Sequence, residues 1–410
     1  MINKLPNNST NEVFTPHKIG NLEIPNRLVR SATYLSRATE DGFVTDDLIQ
    51  VYEELAEGGP GLCITGVSIV RKDGRQLAKM LGNYSDEYLD GLNRLADAYH
   101  DKVKELGNNS KIFLQIGHCG SQSTHWGYHG ELVSSSPVEN TILKKTPKKL
   151  SIKEIEKVVD CFADATERAK KAGFDGVQYH GAHGYLITQF YSPYFNKRTG
   201  KYGGSTENRA RFAIEILEKS RKKVGNNFPV NLKMNGSDRI EGGLDIKEAL
   251  ELAKIFAKKG YDSLEISSYI HEAGRTEEII SLPPETQKDL RKRNKEAYNL
   301  ELAKYIKTEL KNQQKTDIPV ILVGGLYKFE TIQRIIEKTP IDFCSMCRPF
   351  LRQPNLPMIW KEGPPYPEAT CTHCNLCTNE FLIKGSKSKG VRCILEEKLE
   401  KKRRRKQKKK

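Results

Sequence analysis

The sequence predicts a (β/α)8 barrel with a small cysteine-rich extension at its C-terminal end. Three observations carry this. Eight short apolar, β-rich runs alternate with amphipathic helical stretches over about 330 residues; the order strand, helix, strand holds throughout; and no G-x-G-x-x-G follows the first run, which argues against an open dinucleotide-binding sheet. The runs are "NRLVRSAT" from 26, "GLCITGVS" from 61, "KIFLQIGH" from 111, "DGVQYHGA" from 175, "PVNLKMN" from 229, "SLEISSY" from 263, "PVILVGG" from 319 and "FCSMCRP" from 343. The stretch from Ser151, "SIKEIEKVVDCFADATERAKKAG", shows how the helices between them are punctuated. Ser151 stands at the N-cap, Glu154 completes a capping box and Gly173 follows the last turn.

A chain of 410 residues, 37% hydrophobic, is long enough to bury one large core of this kind. Its opening, "MINKLPNNST", lacks the charged start and apolar stretch of a secretory leader, and no run approaches the roughly 18 apolar residues of a membrane span. A soluble, cytoplasmic protein is expected. Nine cysteines in such a chain point to thiols or metal ligands rather than disulfides. The net charge of +15 suggests a nucleic-acid partner, but "KKRRRKQKKK" at 401–410 supplies nine of those charges, and 15 minus 9 leaves +6 on the rest. A run of like charges repels itself, so 396–410 is expected to be a disordered, solubilising tail that touches nucleic acid only nonspecifically, through counterion release.

The chemistry concentrates in "HGAHGYLITQFYSP", residues 180–193, which places His180, His183 and Tyr185 where the fourth strand runs into its loop. Catalytic groups in this fold come from the carboxyl ends of strands. A lone histidine there is more often a backbone hydrogen-bonding partner; two with a tyrosine, joined by other polar strand ends, point to a site. Gln115 and His118 end the third strand, Lys233 the fifth, Gly324 and Gly325 the seventh and Arg348 the eighth. Loops after strands seven and eight often hold a phosphate on backbone N–H groups, so "VGGL" and "CRPF" read as a phosphate cradle with Arg348 as counter-charge, implying a phosphorylated cofactor.

From Phe14 to Gly363 the chain resembles the old yellow enzyme family of FMN-dependent oxidoreductases, in "KIGNLEIPNRLVRSATY", "DGFVTDDLIQVYEELAEGGPGLCITG", "HGAHGYLITQFYSPYFNKRTGKYGGSTENRARF", "PVILVGG" and "MCRPFLRQP". The resemblance implies an FMN enzyme that takes electrons from NAD(P)H and reduces an activated C=C bond in an enone, enoate or enoyl thioester. It implies that Ala32, Thr33 and Tyr34, with Gly66 and Val67, lie against the flavin ring, and that Gln115 bonds its pyrimidine edge. His180 and His183 match the pair that holds the substrate carbonyl oxygen, Tyr185 the proton donor, and Gly325, Cys347 and Arg348 the FMN phosphate site. The chemistry asks for the same types, because charge develops on the carbonyl oxygen and a proton must reach the α carbon. The sequence departs from the family at Lys233, where an arginine usually stands near flavin N1 and O2, at Ser121 and Gly200, and at the variable Tyr34.

Beyond the barrel, "CTHCNLCTNEFLIKGSKSKGVRC" in segment 364–395 spaces Cys371, Cys374, Cys377 and Cys393 as metal ligands. It resembles the 4Fe–4S motif of the larger members related to 2,4-dienoyl-CoA reductase and trimethylamine dehydrogenase; a four-cysteine zinc site has the same ligands. Cys63, Cys119, Cys161 and Cys344 read as packing residues. The larger relatives continue into FAD- and NAD-binding domains, so here NAD(P)H is expected to reduce FMN directly, or a separate ferredoxin or flavoprotein to feed the cluster. Two other readings stand: an oxidative dehydrogenase or demethylase passing electrons outward, and a non-catalytic barrel that binds nucleic acid or a partner through its basic tail.

Overall fold

A computed structural model describes residues 11–123, 130–270, 272, 296–377 and 390–407. All eight expected strands form, as Leu28–Arg30, Leu62–Ile64, Lys111–Gly117, Gly176–Gly181, Val230–Asn235, Ser263–Ser267, Val320–Val323 and Phe343–Met346. Every neighbouring pair is parallel, and the ring closes where Ser345 of the eighth strand stands opposite Val29 of the first. Gln178 of the fourth strand faces Gln115 of the third, and Lys233 of the fifth faces Glu265 of the sixth.

The interior changes character along the barrel axis. At the amino end a short hairpin, His17–Ile19 with Leu22–Ile24, plugs the opening, and its Ile19 and Ile24 pack against Val29, Leu62, Ile64, Phe113, Ile321 and Phe343. Side chains on a strand repeat on one face every second residue. Two positions further toward the carboxyl end the same strands therefore present Ser31 after Val29, Gln115 after Phe113 and Ser345 after Phe343, all buried. An apolar, plugged floor beneath a polar upper layer leaves one end available for chemistry.

The helix Ile152–Lys171 has the expected capping box: Ser151 N–H donates to Glu154 Oε2 at 2.7 Å, and Glu154 N–H to Ser151 Oγ at 3.3 Å. Gly173 follows with φ +86°. Cys63, Cys119 and Cys344 are buried, and Cys161 packs half-buried against the core.

One expectation is corrected. Ile394–Gln407 is a helix, so most of the segment expected to be disordered is ordered. Lysine, arginine and glutamate are good helix formers, and two glutamates in the first turn offset the repulsion among the bases. Glu396 pairs with Arg352 at 3.1 Å and Arg403 at 3.2 Å, while Glu397 pairs with Arg392 at 2.7 Å and Lys401 at 2.6 Å. Among the described residues no helix is long and apolar enough to cross a membrane.

Candidate active site

Where the fourth strand ends, the backbone turns sharply and His183 takes φ +63°, a left-handed conformation that costs a non-glycine residue about 1–3 kcal/mol. Neighbouring groups hold it there. The His183 N–H donates to Asn235 Oδ1 at 3.2 Å, and Asn235 is itself fixed by donating to Asp238 Oδ1 at 2.8 Å and to the Tyr269 carbonyl at 2.9 Å. The imidazole stacks on Tyr269 with centroids 5.3 Å apart, and its Nε2 lies 2.7 Å from Ser267 Oγ.

His180 stands edge-on to both partners, 5.3 Å from the His183 ring and 4.6 Å from Tyr185. The Tyr185 hydroxyl donates to Gln76 Oε1 at 2.7 Å. Burial pushes the Tyr185 phenol well above its ordinary range, so it stays protonated at neutral pH.

Beside this group lies a cavity of about 290 Å³, near the small end of ligand pockets. Ala32, Thr33, Tyr34, His183, Lys233, Gly324, Gly325, Cys347 and Arg348 all line it. Thr33 Oγ1 and Cys347 Sγ share a hydrogen bond at 3.1 Å. The Tyr34 hydroxyl donates to the Ala78 carbonyl, and burial pushes its phenol up to about 12. Gly324 and Gly325 sit at φ +133° and +75°, and a Cβ on either would come within 2.8 Å of the Tyr298 ring. Only glycine suits both the backbone and the space.

The remaining candidates stand around the cavity rather than in its wall. Gly66 and Val67 line a smaller pocket that Tyr34 also lines. Gln115 turns its Nε2 to Gln178 Oε1 at 2.7 Å. His180 and Tyr185 lie beside His183, and His118 is buried against Asp73 at 3.2 Å.

Several residues that complete this arrangement escaped the sequence reading: Gln178 and Glu265 in the barrel, and Gln76, Asn235, Ser267 and Tyr269 around the histidines. For two of them there was a signal. Gln178 precedes His180 by two and Glu265 precedes Ser267 by two, so each is a polar residue on the inward face of a strand.

The four extension cysteines, Cys371, Cys374, Cys377 and Cys393, line one small cavity. Arg348, Leu351, His373 and Cys377 line both this cavity and the barrel one, so the two share a wall. Arg348 Nη1 also donates to Asn375 Oδ1. Among the described residues, no three His, Cys, Asp or Glu side chains are gathered closely enough to chelate an ion.

A closed, parallel eight-stranded barrel with polar residues at the carboxyl ends of its strands defines the class of (β/α)8 barrels whose sites lie at that end. The chain belongs to the NADH:flavin oxidoreductase / NADH oxidase family, whose profile matches residues 12–366. It is 36% identical over 366 residues to an NADH oxidase of Thermoanaerobacter brockii, covering 89% of this chain and 53% of that one. It is 32% identical over 344 residues to an NADPH dehydrogenase of Clostridium acetobutylicum, covering 84% and 92%. Among solved structures, a 2-naphthoyl-CoA reductase in complex with 2-naphthoyl-CoA superposes with TM-score 0.80 at 28% identity, over 90% of this chain and 55% of that one. An old yellow enzyme homologue from Zymomonas mobilis gives TM-score 0.68 at 25% identity, over 87% and 94%. The chain thus spans about half the length of some of these relatives and nearly all of others.

Proposed function

We propose that this chain is an FMN-dependent oxidoreductase that uses NAD(P)H to reduce a C=C bond conjugated to a carbonyl, in an enone, enoate or enoyl thioester. The observation that carries the reading is the grouping of His180, His183 and Tyr185 at one strand end, with His183 facing a cavity that runs to Gly325 and Arg348.

The residues present suit FMN. Gly324 and Gly325 line the cavity together with Cys347 and Arg348, which suits a phosphate, and Lys233, paired with Glu265, adds an N–H donor to the same cavity. In this reading Gly324, Gly325, Cys347 and Arg348 hold the phosphate, Lys233 and Gln115 the pyrimidine edge, and Ala32, Thr33, Tyr34, Gly66 and Val67 the ring. When bound, FMN supplies hydride to the β carbon of the substrate.

The protein's own part is to place the carbonyl and move a proton. His180 and His183 donate N–H groups to the carbonyl oxygen as negative charge collects there, an effect of about 3 kcal/mol per donor in other oxyanion sites. Tyr185 Oη, kept protonated by burial, turns its O–H from Gln76 Oε1 to the α carbon, gives its proton there and regains one from solvent. Two neighbouring carbons thereby gain one hydrogen each. The resemblance to a reductase of an aromatic thioester favours a thioester-conjugated substrate.

The support for a 4Fe–4S cluster is the sequence spacing of four thiols that line one cavity, although they are not gathered to chelating distance, and the wall shared with the barrel cavity would let the two sites exchange electrons. A ferredoxin or flavoprotein partner would enter at that side. The test is anaerobic purification followed by mixing with NAD(P)H and then an enone. Noncovalent FMN, bleached by the first and recoloured by the second, is the expected result; a protein that takes up no FMN refutes the reading.

A further inference from the structure

One buried carboxylate beneath the cavity has no part in the steps above. Glu265 is wholly enclosed, and every polar contact it makes is with a donor: its Oε1 accepts from Ser31 Oγ at 2.9 Å and Ser345 Oγ at 3.0 Å and lies 3.3 Å from Lys233 Nζ. Its Oε2 accepts from Gln178 Nε2 at 2.7 Å. Lys233 is buried too, and donates to Ser31 Oγ at 3.0 Å.

Two consequences follow from the chemistry of a carboxylate. An ionised carboxylate can only accept hydrogen bonds, so Gln178 must present its NH2 to Glu265 and its carbonyl to Gln115. Gln115 must then spend an N–H on Gln178, at 2.7 Å, which leaves its own carbonyl oxygen and second N–H for a ligand. The polarity of the Gln115 amide is thus dictated from two residues away. The second consequence is charge. A lysine paired with a buried carboxylate offers a ligand an oriented N–H but little net charge, and burial keeps solvent from screening either member.

We propose that Glu265 is a positioning residue that fixes which face Gln115 offers to the cofactor and cancels the charge of Lys233 beside it, thereby lowering the reduction potential of bound FMN. This rests on the reading that FMN occupies the cavity. Ser345, Lys233 and Gln178 come from three different strands and Ser31 directly follows a fourth, and all four meet this carboxylate, so no other residue among these contacts fills both roles.

The experiment is a potentiometric titration of the FMN-loaded protein in four forms. Relative to wild type, Glu265→Gln leaves one uncancelled positive charge and should shift the potential positive; Lys233→Met leaves one uncancelled negative charge and should shift it negative. The double variant restores neutrality and should return close to wild type. Should Glu265→Gln fail to fold, adding it to Lys233→Met must still move the potential back in the positive direction. FMN affinity supplies a second readout: Glu265→Gln should weaken it severalfold by freeing the Gln178 and Gln115 amides to flip. A potential that ignores the pair's charge, or that moves the same way in both single variants, overturns the proposal while leaving the proposed reaction standing. A wild-type protein that takes up no FMN overturns both.

Discussion

Replacing Tyr185 by phenylalanine separates catalysis from structure at one atom. The ring keeps its edge contact with His180 at 4.6 Å and its packing beside Val67, Ile69, Met80 and Cys119; the hydroxyl is lost, and with it the 2.7 Å bond to Gln76. One neutral hydrogen bond contributes about 1 kcal/mol, so the midpoint of denaturation should move little. The reaction should respond far more strongly, because a positioned general acid contributes about 10²–10⁴-fold. Stopped-flow mixing resolves the two halves of the cycle: reduction by NAD(P)H should be unchanged, and reoxidation by an enone slowed by that factor. Burial raises the phenol above its ordinary value near 10, so in the wild type the proton is retained at every pH below about 10 and reoxidation carries no alkaline limb from this group there. A phenylalanine variant that reduces an enone at the wild-type rate would show that the proton comes from elsewhere.

In the proposed reaction His183→Ala removes a donor to the carbonyl oxygen, so enone binding and reduction should both weaken, by about 3 kcal/mol in kcat/KM, while reduction by NAD(P)H persists. Gly325→Ala sets a Cβ 2.8 Å from the Tyr298 ring in a left-handed backbone, and FMN affinity should fall at least about tenfold; Gly242→Ala, at φ +71° with no atom within 4 Å, should bind FMN normally. Cys374→Ala should lower iron and sulfide together, whereas one zinc and no iron in the anaerobically prepared wild type would contradict the cluster. Ser151→Ala should cost about 1 kcal/mol by denaturant titration. The neighbouring Glu154 carboxyl is held down at about 2 by its bonds to Lys148 and Ser151, so its contribution is present above the ordinary carboxylate range and is lost as pH falls from about 4 toward 2.

The barrel was legible because its strands are short apolar runs with turn residues at both ends, and because the capping box at Ser151 and Glu154 is a local signal needing no tertiary contact. His180, His183 and Tyr185 were legible as a group because six consecutive positions of one segment hold all three. The supporting residues were harder to read: the inward strand positions of Gln178 and Glu265 were visible, but their roles lie in cross-strand register. Glu265 reads as an ordinary charge in "SLEISSY" until the sixth strand is laid beside Lys233, and Gln76 lies 109 residues from the tyrosine it orients. The basic tail misled for the opposite reason: its charge run overshadowed Glu396 and Glu397, which tie the start of that helix to Arg352 and Arg392.

The central claim is that one cavity joins an FMN site to a proton-donating, carbonyl-holding group. The most direct test is anaerobic reoxidation of the NAD(P)H-reduced protein by a simple cyclic enone in deuterated water, with the product examined by mass spectrometry and NMR. The account predicts recovery of the oxidised flavin spectrum and a saturated ketone with deuterium at the α carbon and unlabelled hydrogen at the β carbon. A flavin that stays reduced in the presence of the enone would contradict it, as would a product labelled at the β carbon alone.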